Sequence, residues 1–371
     1  MSHRIEVVDG IRGICVLAVM IFHYTLFPAG WLGVPIFFIL SGYLISKKLL
    51  TLPHFNFVSI VREHYAPRIS RILPLYCLVL LLVGCLYLVT LWPQELPKAL
   101  LYLGTFTFNL YPLLTRDESP HVISHLWTLS TELQFYLLWP LVLLACTRRS
   151  TFALGLGFIL LAPITRATLA LALSAGLSPE MVSRSIYYFP LSHLDSFGVG
   201  ILLAWAGEGS TINRAARSKY LVVLLSVITI ISGALTCLFA VRAGAATMYD
   251  ALSVGYPEGL LSEGKHIFLL SLITALSGLI IHQGLNGSHI LQWLFSSRSI
   301  RRCGVLCFGL YMIHLPLLEG VRFFFGIQPR TGEGLLLLPV YLFVSYLLAE
   351  LSFRGFEATF YRPSQKHSSH H

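Results

Sequence analysis

Charged residues are scarce in this sequence, at 12% of the chain, and long hydrophilic stretches are absent. The three longest cover only residues 47–71, 114–125 and 242–265. Such a composition is not that of a typical soluble or disordered protein, and it leaves no room for a separate soluble domain. We therefore expect a single domain over residues 1–363 and no nucleic-acid partner. The tail at 364–371 ends in HSSHH, which is typical of an expression tag.

Cysteine patterns that hold metals or disulfide frameworks are also absent. The number of Cys is odd, at seven, and most of them stand inside apolar blocks: Cys15, Cys77, Cys85, Cys237 and Cys307. We interpret them as buried thiols, and we expect neither a metal site nor a tightly bound cofactor. We expect no cleavable signal peptide, because the first apolar block contains Arg12 and His23 and lacks a small-residue cleavage site.

Apolar blocks of about twenty residues are what the sequence has instead, and such blocks are typical of bilayer-spanning helices. Eleven can be marked, at residues 11–28, 33–46, 72–92, 97–113, 126–146, 151–174, 187–206, 219–241, 266–283, 303–321 and 334–353. The block at 97–113 contains Thr105, Thr107 and Asn109 and ends at Pro112, which favours a re-entrant or interfacial segment. The sequence thus predicts an all-α polytopic membrane protein with about ten transmembrane helices.

The distribution of Lys and Arg predicts the direction of these spans. With ten spans, seventeen of the 26 basic side chains fall on the side of the two termini and seven on the other, while Arg12 and Arg166 lie within spans. Basic residues accumulate on the cytoplasmic side of membrane proteins. We therefore expect both termini to be cytoplasmic and the protein to lie in the inner membrane of a cell.

Two polar residues interrupt the first apolar block. Eleven helical steps separate Arg12 from His23, which places both side chains on one face of a helix, about 16 Å apart. An Arg near the middle of a span costs about 2.5–3.5 kcal/mol, so a functional role is one interpretation. The alternative is an Arg that reaches the headgroups and a His that is satisfied by a neighbour.

Other polar residues are predicted at two depths, counting about 1.5 Å per residue from the ends of the spans. Those predicted in the outer half of the bilayer are His23, Glu132, His193, Asp195 and His314. Ser41 is expected near the middle, and Arg12, Arg68 and Arg71 at the inner end. Several ionisable groups at one depth on different helices favour a functional site over isolated polar contacts between helices.

These residue types allow a particular chemistry. A His beside an acidic residue can take a proton from a hydroxyl group, and Arg guanidinium groups bind phosphate in a bidentate manner. A ligand with phosphates at the Arg end and a reactive group about 16 Å away has the shape of acyl-CoA.

At these residues the sequence resembles the acyltransferase 3 family of integral-membrane O-acyltransferases. The matching segments are VVDGIRGICVLAVMIFHY around Arg12 and His23, FFILSGYLIS at 37–46, RISRILPLY at 68–76 and HLWTLSTELQFYLLWPL at 125–141. HLDSFGVGILLA at 193–204 and GLYMIHLP at 309–316 correspond to looser blocks. The sequence departs from the family pattern in ISHL at 123–126 and at Thr131.

The resemblance implies a role for each candidate residue. His23 is expected to be the catalytic base or a transient acyl carrier, oriented by Glu132 or Asp195. The residues expected to bind acyl-CoA are Arg12, Arg68, Arg71, Phe37, Phe38, Ser41 and Gly42, although the last four equally fit a contact between helices. On the acceptor side we expect His193, His314 and Ser130.

The function so predicted is transfer of an acyl group, expected to be acetyl, from cytoplasmic acyl-CoA to a hydroxyl of a cell-envelope glycan or lipid-linked saccharide. We expect no appended SGNH hydrolase-like domain, so we expect the acceptor to be handled by the membrane domain or by a glycan-assembly partner protein. One alternative is a transporter or flippase of lipid-linked glycans, against which the lack of internal repeats and paired broken helices speaks. Another is a non-catalytic envelope scaffold, which leaves the buried Arg and His unexplained.

Overall fold

A computed structural model describes residues 2–52, 56–90, 93–206, 218, 220–228, 231, 264–286, 288–326 and 331–360, and the elements in this part of the chain are helices. The helices that matter below are α1 (Ser2–His23), α2 (Gly33–Leu50), α3 (Phe57–Thr90), α4 (Leu96–Gly104), α5 (Tyr111–Thr115), α6 (Trp127–Leu144), α7 (Arg148–Leu173), α8 (Pro179–Tyr188), α9 (Leu194–Trp205), α10 (Lys265–Leu285), α11 (His289–Phe295), α12 (Arg298–Val305), α13 (Cys307–Phe325) and α14 (Gly332–Phe360). Short 3-10 turns precede α2, α6 and α9, at Gly30–Leu32, His121–Leu126 and Pro190–His193.

Six helices in the described part are long and apolar enough to cross a membrane, namely α2 with the turn before it, α3, α7, α10, α13 and α14. Large apolar side chains face outward from them, such as Val89, Leu171 and Leu336, and this surface suits a hydrocarbon environment. For the described residues, the prediction of a helical protein with several helices suited to cross a membrane is confirmed. The number ten remains a prediction, and the expected span at 219–241 lies mostly outside the described residues.

Two apolar stretches are broken rather than continuous. Residues 97–113 form α4, a 3-10 turn and α5, and helices of nine and five residues are too short to cross a bilayer. Residues 187–206 were expected to be one span, but Phe189 has an extended backbone before Pro190, and α9 has only 12 residues. Proline pushes the residue before it out of the helical region, so the break has a local cause.

Several close helix contacts occur at glycines. A Cβ added at Gly304 of α12 would lie 1.7 Å from the carbonyl oxygen of Asp9 on α1. A Cβ added at Gly42 of α2 would lie 2.5 Å from the carbonyl oxygen of Phe197 on α9. Small residues let membrane helices approach this closely. The first contact positions the half of α1 that carries Arg12 against α12, and the second positions α2 against α9.

Ion pairs gather at two opposite ends of the helices. At the end predicted to be cytoplasmic they are Arg301–Glu6, Arg302–Glu350 and Lys48–Glu63, and at the other end Lys98–Asp117, Arg184–Glu118 and His121–Glu319. Within the described ranges, no ion pair joins a side chain predicted inside to one predicted outside. The grouping keeps the two predicted sides apart, and the assignment of one end to the cytoplasm stays a prediction.

We expect cysteine labelling to report this orientation. In a background whose accessible native cysteines are replaced by serine, Arg149→Cys should react with an impermeant maleimide only from the cytoplasm, and Asp117→Cys only from the opposite side. The reason is that a charged reagent reaches a thiol only in water on its own side of the bilayer. Labelling of Asp117→Cys from the cytoplasm would contradict the predicted orientation.

Candidate active site

Two adjoining cavities lie among α1, α2, α3, α6 and α13. The larger has a volume of about 320 Å³ and is lined by Arg12, among other residues, while the smaller has a volume of about 20 Å³ and is lined by His23. Val34, Thr128 and Tyr311 line both cavities, so they form the boundary between them. Because α1 is continuous from Ser2 to His23, the expected separation of about 16 Å along one helix applies.

Three guanidinium groups converge on one end of the larger cavity. Arg68 and Arg71 line it together with Arg12, and all three side chains are half-buried. Arg12 has a long contact of 3.8 Å with Asp9. In the described part of the chain, neither Arg68 nor Arg71 forms an ion pair with a carboxylate. Two guanidinium groups without an ion-pair partner, beside that of Arg12, favour an anionic ligand.

Local structure places Arg68 at this cavity. A five-residue π-helical segment, Val61–Tyr65, precedes it on α3, and such segments are frequent at functional sites. The guanidinium carbon of Arg68 lies 5.2 Å from the ring centroid of Tyr136, a cation–π contact. At the rim, Lys48 lies 3.7 Å from the Glu63 carboxylate, and both residues line the cavity.

A hydrogen-bonded trio lies on the wall of the larger cavity. The Ser41 hydroxyl donates to Glu132 Oε1 over 2.8 Å, and its oxygen is 3.0 Å from the hydroxyl of Tyr136. Glu132 and Tyr136 are four residues apart on α6 and therefore share a face. The structure brings Glu132 to Ser41 and does not bring its carboxylate into hydrogen-bonding distance of His23.

The apolar wall of the larger cavity includes Phe37 and Phe38. Phe38 is held by a stacked contact with Phe197, with ring centroids 5.0 Å apart. Gly42 does not line the cavity, because it faces the backbone of Phe197 as described above. For Gly42, therefore, the contact between helices is the interpretation that the structure favours.

A cluster of histidines surrounds the end of α1. The ring centroid of His23 is 5.3 Å from that of His314, 6.4 Å from that of His125 and 6.5 Å from that of His121. The rings of His125 and His314 are 4.9 Å apart. His314 Nδ1 is 2.7 Å from the carbonyl oxygen of Tyr311, to which it donates.

An acidic residue contacts this cluster from its outer side. His121 Nδ1 lies 3.0 Å from Glu319 Oε1, and Arg322 pairs with the same carboxylate. Arg322 also donates to the carbonyl oxygen of His23 over 3.3 Å. Glu319 is thus linked to His23 through His121 and Arg322. From the sequence alone, the acidic residue near His23 is expected to be Glu132 or Asp195.

Asp195 does not lie beside His23, which corrects that expectation. Its Oδ2 accepts from Arg166 over 2.9 Å and from the Ser271 hydroxyl over 2.7 Å, and both members of the ion pair are buried. A carboxylate so occupied is part of a structural link between α7, α9 and α10. It lines neither cavity.

Two residues expected on the acceptor side also lie behind the cavities. His193 Nε2 is 2.6 Å from the carbonyl oxygen of Tyr187, and its ring packs against Phe38 and Trp127. Ser130 is buried on α6 and lines neither cavity. Of the three residues expected there, the structure brings only His314 next to His23.

Sequence reasoning missed several residues of the site: Lys48, His121, His125, Tyr136, Tyr311, Glu319 and Arg322. Spacing offers a signal for some of them. His121 and His125 are four residues apart directly before α6, and Glu319 and Arg322 are three apart at the end of α13. His121, His125 and Arg322 stand just outside the apolar blocks at 126–146 and 303–321, where a search inside the blocks passes over them. Glu319 stands near the end of the second block.

Comparisons with known proteins point in the same direction as the geometry. The family model described as an acyltransferase domain matches residues 5–350. The chain is 26% identical to a peptidoglycan O-acetyltransferase of Listeria monocytogenes, over 94% of this chain and 54% of that protein. It is 26% identical to a putative peptidoglycan O-acetyltransferase of Bacillus subtilis, over 85% of this chain and 49% of that protein. It is 23% identical to a putative O-acetyltransferase of Staphylococcus aureus strain COL, over 95% of this chain and 56% of that protein.

The chain therefore spans about half the length of the curated relatives it matches. A search of the solved structures gives no match.

Proposed function

Because this chain belongs to the acyltransferase 3 family, we propose that it is a membrane O-acetyltransferase that moves an acetyl group from cytoplasmic acyl-CoA to a hydroxyl of a cell-envelope glycan or lipid-linked saccharide. The names of the relatives support acetyl as the group and a glycan as the acceptor. The observation that carries the proposal is the convergence of three guanidinium groups on a cavity that adjoins the smaller cavity lined by His23. We place the enzyme in the inner membrane, where glycan-assembly proteins would present the acceptor.

The donor fits this arrangement from the cytoplasmic end. The phosphates of acyl-CoA bind Arg12, Arg68 and Arg71, and the pantetheine arm lies between the side chains that line the larger cavity. A cavity of about 320 Å³ is at the lower end of the usual range for ligand sites, and it suits the arm with the nucleotide at the open end. The thioester then reaches the boundary at Thr128 and Tyr311.

His23 performs the proton transfer at that boundary. It takes the proton from the acceptor hydroxyl while the hydroxyl oxygen forms a bond to the thioester carbonyl carbon. The carbon–sulfur bond then breaks, and the proton passes from His23 to the CoA sulfur, which leaves as the thiol. The products are the acetyl ester of the acceptor and free CoA.

The break before α9 and the first turn of α9 do not support the transporter alternative. Their polar residues, His193 and Asp195, are bound to Tyr187 and Arg166 and do not line either cavity. A permeation path needs polar groups that face water or substrate.

The direct test is an assay of purified protein in detergent with acetyl-labelled acetyl-CoA and a peptidoglycan disaccharide, N-acetylglucosaminyl-N-acetylmuramic acid. We expect a labelled, base-labile ester on the sugar and release of one CoA per ester. Absence of ester formation with this disaccharide and with extracted envelope glycans, together with absence of acetyl-CoA binding, would contradict the proposal.

Arg68→Ala and Arg71→Ala are each expected to weaken acetyl-CoA binding about ten- to a hundredfold. Charge-assisted contacts to phosphate are worth roughly 1.5–3 kcal/mol each, and Lys replacements should recover only part because Lys lacks the planar fork. Calorimetry in detergent measures the affinity. In addition, dephospho-CoA should bind the wild type more weakly than CoA does, and the difference should shrink in the variant that loses the 3′-phosphate contact.

Arg149→Ala is the matched control for these variants. Arg149 is an exposed Arg predicted on the same side of the membrane, and it does not line the cavity. Its replacement should leave the affinity within twofold of the wild type. Equal affinity in the wild type and in both cavity variants would exclude this donor site.

A further inference from the structure

Three buried ring nitrogens beside His23 have no hydrogen-bond partner in the described part of the chain. They are Nδ1 and Nε2 of His125 and Nε2 of His314. The two residues are only 2% and 0% exposed. Roughly 90% or more of buried polar groups are hydrogen-bonded, and each unsatisfied group costs about 1–3 kcal/mol. Three such atoms on two rings whose centroids are 4.9 Å apart indicate a place where a ligand binds.

The protonation pattern of these rings selects the kind of ligand. His314 Nδ1 faces a carbonyl oxygen, which only accepts, so in the neutral ring this nitrogen carries the proton and Nε2 must accept. His125 in its neutral form offers one donor and one acceptor. Carboxylates and phosphates have no hydrogen to give to His314. Hydroxyl groups both donate and accept, and they can satisfy all three nitrogens.

The space beside His23 matches a hydroxyl group in size. The smaller cavity, which His23 and His125 line and His314 does not, has room for about one water-sized group. It therefore holds the reacting hydroxyl, and a second hydroxyl reaches His314 when side chains shift on binding. An O–H···N hydrogen bond spans about 2.8 Å, so rings whose centroids are 4.9 to 6.4 Å apart can reach one hydroxyl group or two neighbouring ones. The bulk of a sugar must then stay at the mouth, where the His121 side chain is 58% exposed.

We propose that His125 and His314 form the acceptor-binding site and hold the reacting hydroxyl and a second hydroxyl of the same neutral sugar. The proposal rests on the proposed function and adds to it the residues that select the acceptor. His125 donates its ring N–H to the reacting oxygen. The proton of that hydroxyl goes to His23 while the oxygen bonds to the thioester carbon, and the carbon–sulfur bond then breaks. His314 Nε2 accepts from the second hydroxyl and takes no proton in the reaction.

The test compares His125→Phe and His314→Phe with His125→Gln and His314→Gln in the assay with the peptidoglycan disaccharide. Phe keeps a ring of similar shape without nitrogen, so kcat/KM for the disaccharide should fall at least tenfold, mainly through KM for His314→Phe. Gln can donate and accept, so it should recover part of the loss. Acetyl-CoA affinity by calorimetry should stay within twofold, because neither residue lines the larger cavity. His282→Phe on α10, a buried His that lines neither cavity, is the matched control.

Deoxy analogues of the disaccharide give a second readout. One analogue that keeps the acetylated hydroxyl should lower the kcat/KM of the wild type more than the others do. This analogue should not lower the kcat/KM of His314→Phe further, because the effects of removing two groups that contact each other are not additive.

Two results would overturn the proposal while leaving the proposed function standing. The first is an unchanged kcat/KM in both Phe variants. The second is that the Phe variants lose both acetyl-CoA binding and transfer, and that the Gln variants recover neither. Absence of any transfer by the wild type would instead refute the proposed function itself.

Discussion

His23→Ala is expected to lower acetyl transfer by a factor of at least a hundred while leaving acetyl-CoA binding nearly unchanged. A positioned general base typically contributes about 10²–10⁴ in rate, and His23 lines the smaller cavity, which adjoins the larger one. Alanine retains the backbone carbonyl that accepts from Arg322, and a small residue is readily accommodated in an apolar helix. The measurement is ester formation on the disaccharide at saturating acetyl-CoA, alongside calorimetry of donor binding.

His282→Ala is the control for this variant, since it removes a buried His of α10 away from both cavities. It should retain wild-type turnover. Wild-type turnover of folded His23→Ala would refute the mechanism. Mass spectrometry of the protein after incubation with acetyl-CoA alone separates the two roles of His23: an acetyl adduct that His23→Ala lacks identifies an acyl carrier, and unmodified protein identifies a general base.

The first helix shows what sequence patterns can predict. The spacing of Arg12 and His23 places them on one helix face, and α1 is continuous across both. Counting residues from the ends of spans also predicts that Arg68 and Arg71 lie at the depth of Arg12, and all three line one cavity. Both inferences use only the regular rise of a helix, which is the same in every context.

Asp195 shows where such reasoning stops. Its depth is predicted to match that of His23, but depth is one coordinate, and the rotation of a helix about its axis decides which neighbour a side chain meets. That rotation is set by packing, here by Gly42 of α2 against the backbone of Phe197, two residues after Asp195. Arg166 on α7 meets Asp195 as a result. No sequence spacing relates Arg166 to Asp195, because they belong to different helices.

His121 and His125 illustrate a second limit. Both lie in the 3-10 turn before α6 and therefore outside the apolar core of the block at 126–146. Hydropathy marks the helix and not the turn that leads into it. The turn nevertheless lies against α13, where the Tyr311 hydroxyl donates to the carbonyl oxygen of His125 over 2.9 Å. Residues at the ends of membrane helices thus enter a site through tertiary contacts that periodicity does not encode.

Replacing one partner of the Arg166–Asp195 pair is expected to destabilise the fold strongly. Arg166 is 0% exposed and donates to Asp195, to the Ser271 hydroxyl over 2.6 Å and to the carbonyl oxygen of Ser192 over 3.2 Å. Asp195→Asn leaves a buried guanidinium without its counter-charge, and breaking a buried pair in this way costs about 3–5 kcal/mol. The melting temperature of the purified protein in detergent should therefore fall well below that of the wild type.

The double variant Arg166→Met/Asp195→Leu separates stability from catalysis. Replacing both charges with apolar side chains of similar volume is often neutral or stabilising, so the double variant should melt close to the wild type and far above either single variant. It should also retain transfer to the disaccharide within a fewfold, because neither residue lines a cavity. If Asp195 instead oriented His23, the folded double variant would lose turnover as His23→Ala does. That result, or an unchanged melting temperature of Asp195→Asn, would contradict the structural role of this ion pair.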